Sequence, residues 1–63
     1  MNREEAIEFM VNSLASDNEE NMRAMGVSEE EIDAYSLSNK PGMEYLLSNL
    51  YDRMVVVELI KND

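Results

Sequence analysis

The chain has 63 residues with no cysteine or histidine, and its 14 acidic and five basic side chains give a net charge of −9. A chain this short buries only about 60% of its unfolded surface, and disulfides and thiolate or imidazole metal sites are excluded as extra stabilisers. The negative charge disfavours direct binding to nucleic acid or anionic membrane, and catalysis lacks its commonest general base and its best nucleophile.

These exclusions predict a binding protein rather than an enzyme, with no cofactor and no metal ion. We expect one helical domain over residues 1–63. The densest apolar run, 54–60, contains Glu58 and falls far short of the roughly 20 apolar residues of a membrane span. No apolar run behind a basic flank indicates a signal peptide, so we expect a cytoplasmic protein.

The first predicted element is a helix over residues 3–15. Asn2 is a candidate N-cap, and the acidic residues of the opening turns suit the positive end of the helix dipole. Phe9 falls off the apolar face. That face is formed at helical spacing by Ile7, Met10, Val11 and Leu14.

A second N-cap signature follows at once. Ser16 with Glu19 three residues later has the pattern of a capping box, and Gly26 is a natural helix terminator. The pattern predicts a short helix over residues 17–25, with few apolar anchors. The alternative is that the first helix continues through Ser16 without a break.

The third N-cap signature is stronger. Ser28 and Glu31 have capping-box spacing, and Val27 and Ile32 are placed as a hydrophobic staple around that cap. We expect a helix over residues 28–37 that turns Ile32, Tyr35 and also Leu37 inward.

The segment Ser38-Asn39-Lys40-Pro41-Gly42 is predicted to be a loop, with Pro41 in the first turn of a last helix over residues 41–61. Apolar residues recur along that helix at alternating spacings of four and three, as in a coiled coil. Because its final turns are apolar almost all round, a second copy of the chain is an economical cover. The predicted self-association residues are Leu47, Leu50, Met54 and Val57, following Met43 in the same seam.

Residues 54–60 leave an alternative open. Val55, Val56 and Val57 are β-branched, and this run also fits a strand. A lone strand needs a partner, and no other segment resembles one, which favours the helix. The predicted fold is therefore all-α: a small bundle of three to four helices with a long C-terminal helix.

Charge is concentrated in the first half of the chain, where ten of the 14 acids lie within residues 1–33. Side chains of one sign steer a protein toward surfaces of the other sign. We therefore predict a small acidic effector that occupies a basic, nucleic-acid-binding surface of a larger protein, as an inhibitor that imitates nucleic acid in the manner of compact phage effectors. The reading in which the acids only keep the chain soluble stays open. The predicted partner-binding residues are Glu19, Glu20, Glu29, Glu30, Glu31 and Asp33.

Residues 16–50 also resemble a ubiquitin-associated domain, a compact three-helix fold. The turn Met25-Gly26-Val27 is similar to that family's Met-Gly-Phe loop, and Gly42-Met43 leads into an apolar last helix. Val27 stands where the family has an aromatic residue, and Pro41-Gly42 where it usually has Asn-Val. The resemblance implies ubiquitin contacts at Met25, Gly26 and Leu50.

The sequence is therefore compatible with three functions. The first is the acidic effector, and the second is a structural or assembly subunit that binds through its apolar C-terminal helix, with the acids serving solubility. The third is the ubiquitin-binding module. Replacing Leu50 and Val57 with Glu separates the first two, because a subunit would lose its assembly whereas a monomeric charge mimic would keep its target.

Overall fold

The computed structural model describes residues 1–60 as two helices joined by a short turn. Helix α1 spans Arg3–Ala24 and helix α2 spans Glu29–Val56. They pack side by side as an antiparallel hairpin measuring 41 × 18 × 17 Å. The all-α prediction is confirmed, whereas the predicted count of three to four helices is wrong, since two helices form in the described residues.

Helix α1 begins as predicted. It does not stop at residue 15, and the alternative of one continuous helix through Ser16 is the one observed. Asn2 is the N-cap: its side-chain oxygen accepts from the Glu5 backbone N–H at 2.9 Å, and the Glu5 carboxylate accepts from the Asn2 N–H at 3.2 Å. At Ser16 the helix continues without a break, so the predicted cap there is wrong. Continuation keeps every backbone hydrogen bond and turns Asn18 and Met22 toward α2, where they are partly buried.

Gly26 ends α1, as predicted, in a left-handed conformation with φ +85°. The Val27 N–H donates to the Met22 carbonyl and the Gly26 N–H to the Arg23 carbonyl, both at 3.0 Å. This pair of bonds is a Schellman motif, which satisfies two carbonyls that the helix end leaves without partners. The chain reverses here and reaches α2 within four residues.

Helix α2 begins at its predicted cap, where Ser28 Oγ accepts from the Glu31 N–H at 3.3 Å. It then passes through the segment 38–42, so the predicted loop is wrong. Pro41 lies nine residues after buried Ile32, about 180° around the axis, and it is exposed. Because proline has no backbone N–H, the carbonyl of Leu37 has no intrahelical donor at residue 41. This carbonyl lies on the exposed side of the helix rather than in the core.

The last helix was predicted to extend to residue 61, which is beyond the observed end of α2. Helix α2 stops at Val56, and residue 61 of the predicted range lies outside the described residues. Glu58 adopts φ +60°, and the N–H groups of Leu59 and Glu58 donate to the carbonyls of Met54 and Val55 at 2.8 and 3.0 Å. This second Schellman motif ends the helix before the apolar run does. No strand forms within residues 1–60, so the strand alternative at 54–60 is not supported.

The hairpin has a thin core on its inner face. Ile32 is fully buried at 0% exposure, and Ala6, Met10, Leu47, Val55 and Ile60 pack partly buried against the cluster of Ile7, Val11 and Tyr51. Among residues 1–60, the buried ones are Ile7, Val11, Ile32, Met43 and Tyr51.

The long seam predicted in the last helix is only partly in the core. Met43 is buried, Leu47 and Met54 are partly buried, and Tyr51 rather than Leu50 continues the row. The row 43, 47, 51 follows the i, i+4 ridge of the helix instead of alternating four and three. A single partner helix covers only this narrow ridge.

Two residues expected to face inward are exposed. Tyr35 and Leu37 lie on α2 beyond the stripe that α1 covers. The three-helix fold implied by the ubiquitin-associated resemblance is not observed either, since residues 16–50 hold parts of two long helices. Neither α1 nor α2 is apolar over enough of its length to cross a bilayer.

Candidate binding surfaces

One broad side of the hairpin is polar and the other is apolar. The difference follows from which residues stand one place and three places after each core residue. Successive residues turn about 100° around a helix axis, so the residue after a core position lies on one side of the hairpin. In an antiparallel pair this side is the same for both helices. The five residues that follow the core positions are all polar, four of them acidic: Glu8, Asn12, Asp33, Glu44 and Asp52.

The residue three places after a core position turns about −60° and lies on the opposite side. All five residues at these places are apolar: Met10, Leu14, Tyr35, Leu46 and Met54. Leu50, seven places after Met43, falls on this side as well. We call Met10, Leu14, Tyr35, Leu46 and Leu50 the apolar side; apart from partly buried Met10, these side chains are 46–66% exposed.

A groove runs along the polar side between the helices. Its two parts have volumes of about 510 and 470 Å³ and share Asn12 and Lys40, which makes the groove continuous. Each helix contributes acids at its rims, and Arg3 and Lys40 are the basic residues in the lining. We call it the acidic groove, after its carboxylates Glu4, Glu8, Glu19, Asp33 and Glu44.

One bidentate ion pair lies at each end of the hairpin. Arg3 donates to Asp52 from Nε to Oδ1 at 2.9 Å and from Nη2 to Oδ2 at 3.1 Å. Arg23 donates to Glu29 from Nε to Oε1 at 2.6 Å and from Nη2 to Oε2 at 3.1 Å. Hydrogen bonding to these arginines, reinforced by their charge, lowers the pKa of both carboxyl groups, and the carboxylates raise the pKa of both arginines.

The charges of Glu19 and Asp33 also help to raise the pKa of Arg23, after the larger effect of Glu29. Glu29 holds the guanidinium of Arg23 with two hydrogen bonds, whereas Glu19 and Asp33 line the groove and act on Arg23 through charge alone.

The six predicted partner-binding acids are not brought together as one set. Glu19 and Asp33 line the acidic groove on opposite helices. Glu29 is held by Arg23. The other three, Glu20, Glu30 and Glu31, are exposed and do not line the groove.

The four predicted self-association residues also divide. Leu47 packs against the hairpin's own core, and Met54 is partly buried. Leu50 and Val57 are exposed. Of these four, Leu50 lies in the apolar side, beside Leu46 one turn earlier.

Glu4, Glu8 and Glu44 belong to the groove but were not among the predicted residues. The signal that could have identified them is their spacing from core positions, since Glu8 and Glu44 directly follow Ile7 and Met43. Reading that signal requires knowing that α2 is continuous, because otherwise Asp33 and Glu44 would not share a side.

Within residues 1–60, no three carboxylates converge closely enough to hold a metal ion. Compared with protein-family models, curated proteins and solved structures, the chain matches none.

Proposed function

We propose that this chain is a small protein-binding effector whose acidic groove occupies a basic, nucleic-acid-binding surface of a larger protein and thereby inhibits it. The observation that carries the proposal is the sidedness of the hairpin: acids follow core positions on both helices and so line one continuous groove. Carboxylates used only for solubility need no such common direction.

The geometry suits a surface that normally holds a polyanion. Glu4 and Glu8 are one helical turn apart, about 6 Å along the axis, and Asp33 and Glu44 lie across the groove on the neighbouring helix, whose axis is about 8–10 Å away. Two parallel rows of negative charge result. Lys and Arg side chains that neutralise phosphates can pair with such carboxylates, with long-range attraction speeding the encounter.

The groove carboxylates are free to bind. Among residues 2–60 the side-chain ion pairs are Arg3–Asp52 and Arg23–Glu29, neither of which uses a groove acid. A partner therefore meets these carboxylates without first breaking an internal ion pair. Lys40 lies between the two halves of the groove and would face an acidic or neutral group on the partner.

Two triple variants with the same change of charge test the proposal. The groove variant carries Glu19→Gln, Asp33→Asn and Glu44→Gln, and the control carries Glu20→Gln, Glu30→Gln and Glu31→Gln. Both lose three negative charges, so a difference between them reports position rather than net charge. Each is used as bait in a lysate of the cells that make the chain, with elution by stepped salt.

We expect the unmodified chain and the control to retain the same nucleic-acid-binding protein, released at moderate salt because charge dominates the contact. The groove variant should lose it. With the purified partner, nucleic acid should compete with the chain for binding. Equal capture by the groove variant, or a partner unaffected by nucleic acid, would refute the proposal.

A further inference from the structure

The apolar side raises a separate question, namely what covers it. Leu14, Tyr35, Leu46 and Leu50 are each about half or more exposed and follow one another along both helices. Three charged residues of both signs flank the same side at helical spacing, namely Asp17, Glu31 and Arg53. Contiguous apolar surface of this kind on a small chain marks a contact with another macromolecule.

The exposed area indicates how large that contact should be. A compact monomer of 7.2 kDa is expected to expose about 4,100 Å². This chain exposes 4967 Å², roughly 850 Å² more. A standard protein interface removes about 800 Å² from each partner, so the surface that this elongated hairpin exposes beyond a compact monomer is large enough for one interface. A broad side of the hairpin, 41 by 18 Å, provides that area.

From these observations we infer that a second copy of this chain docks on the apolar side, forming a two-fold four-helix bundle. A self-complementary contact needs the same patch on both copies, and this patch holds alternating large side chains on two parallel ridges, which can interdigitate. Within residues 1–60 each hairpin alone buries five residues, a small core for a chain that has no cysteine and hence no disulfide. Pairing adds a second apolar layer between the hairpins.

Charge allows the apolar sides to meet and keeps the grooves apart. The two acidic grooves would lie on opposite outer faces of the bundle, so the strongest negative charges of the two copies are directed away from one another. Each copy still carries a charge of −9, and salt should therefore strengthen the dimer by screening repulsion. Binding of a basic partner should respond to salt in the opposite direction, so the dimer and the proposed function can fail independently.

The test is the mass of the chain in solution by sedimentation equilibrium, from about 1 to about 500 μM, a range that brackets micromolar dissociation constants. We expect twice the 7.2 kDa of one chain at the upper concentrations. The variant Leu46→Glu with Leu50→Glu should raise the dissociation constant by about 100-fold or more, because it places charge in the centre of the contact. Ser48 is on the same helix but lines the acidic groove, so Ser48→Glu should leave the dimer intact.

A monomer at every concentration would overturn the inference, and so would a double variant that still dimerises. Should the double variant lose its helical circular-dichroism signal, Leu46→Gln decides, since it adds no charge. The melting temperature of the unmodified chain should also rise with concentration, as a coupled folding and dimerisation equilibrium requires. A melting temperature independent of concentration would contradict the dimer without recourse to any variant.

Discussion

Arg3 and Asp52, 49 residues apart in the chain, close the open end of the hairpin through two parallel hydrogen bonds of 2.9 and 3.1 Å. Arg23 and Glu29 form the corresponding bidentate pair at the turn. Both side chains of the Arg3–Asp52 pair are about half exposed, so its effect on stability is modest and is screened by salt.

The pair predicts a specific dependence of stability on pH. Because Arg3 lowers the pKa of Asp52 in the folded chain, folding releases protons from this carboxyl group in the acidic range between its folded and unfolded pKa. The stabilisation is therefore complete above the unfolded pKa of about 3.9 and is lost as the pH falls through the lower, folded value. Glu29 behaves alike, starting from an unfolded value of about 4.3.

Asp52→Asn should lower the melting temperature near neutral pH, and this deficit should vanish in acid as Asp52 of the unmodified chain becomes protonated. Asp17→Asn is the matched control, since it makes the same chemical change at an exposed residue that is in no ion pair and lies inside α1 rather than at a helix end. Comparing melting curves over pH cancels the general relief of carboxylate repulsion, which both variants share. A deficit independent of pH would show that the ion pair is not its source.

Pro41 predicts a stabilising substitution in the middle of α2. Proline there removes a backbone donor and disfavours the helix, and the residue is exposed, so nothing packs against its ring that alanine would lose. Pro41→Ala should raise the free energy of unfolding by about 1–3 kcal/mol. Ser38→Ala, one turn earlier on the same exposed side, should change it by less than about 0.5 kcal/mol. Urea titration measures both, and an unchanged midpoint for Pro41→Ala would contradict the expectation.

Local sequence signals predicted three of the four helix ends in the described residues, but they also predicted breaks inside both helices. Asn2, Ser28 and Gly26 each act through neighbours within five residues, so their roles can be read directly from the sequence. Ser16 and Pro41 carry equally local signals, yet packing of Met22 and Met43 against the opposite helix extends the helices through both. Local chemistry identifies a place where a helix can begin or end; long-range contacts decide whether it does.

The candidate groove was predictable only in part for the same reason. Charge counting identified the acidic half of the chain, including Glu19 and Asp33, but not which acids share a side. Glu44 lies in the second half, where the net charge is small, and only an unbroken α2 places it in line with Asp33. Two residues can be assigned to the same side of a helix only if the helix is continuous between them. A loop wrongly predicted at 38–42 therefore hides the relation between Asp33 and Glu44.

The two Schellman motifs predict opposite effects of substitution at their left-handed residues. Glu58 adopts φ +60°, which is unfavourable for a residue with a side chain, whereas Gly26 adopts φ +85° at no such cost. Glu58→Gly should stabilise the fold by about 1 kcal/mol relative to Glu58→Ala, which removes the same charge. Gly26→Ala should destabilise it by about 1 kcal/mol or more, measured by the same urea titrations.

Gly42→Ala is the control for Gly26→Ala. A side chain added at Gly42 meets nothing within 4 Å, and the residue lies inside α2 with ordinary helical backbone. Alanine there should stabilise the chain by about 0.5–1 kcal/mol, since it restricts the unfolded chain more than glycine does. Equal effects of alanine at Gly26 and Gly42 would show that neither conformation governs the outcome.

Ile32 is the residue on which the folded state depends most. It is fully buried between the helices, and a chain of 63 residues is expected to have a total stability of only about 3–9 kcal/mol. Ile32→Ala should cost about 2–5 kcal/mol, a large part of that stability, whereas Ile32→Val should cost about 0.5–1.5 kcal/mol. Leu37→Ala, on the same helix at an exposed position, should be nearly neutral.

Helical circular dichroism in urea distinguishes these three outcomes. All variants must be compared at one protein concentration, because a chain that pairs through its apolar side gains stability with concentration. If Ile32→Ala regains its helical signal when the concentration is raised, the second copy supplies part of the stability that the thin core of one hairpin lacks. If raising the protein concentration does not restore the helical signal of Ile32→Ala, the stability of the chain comes from the single hairpin and not from a second copy.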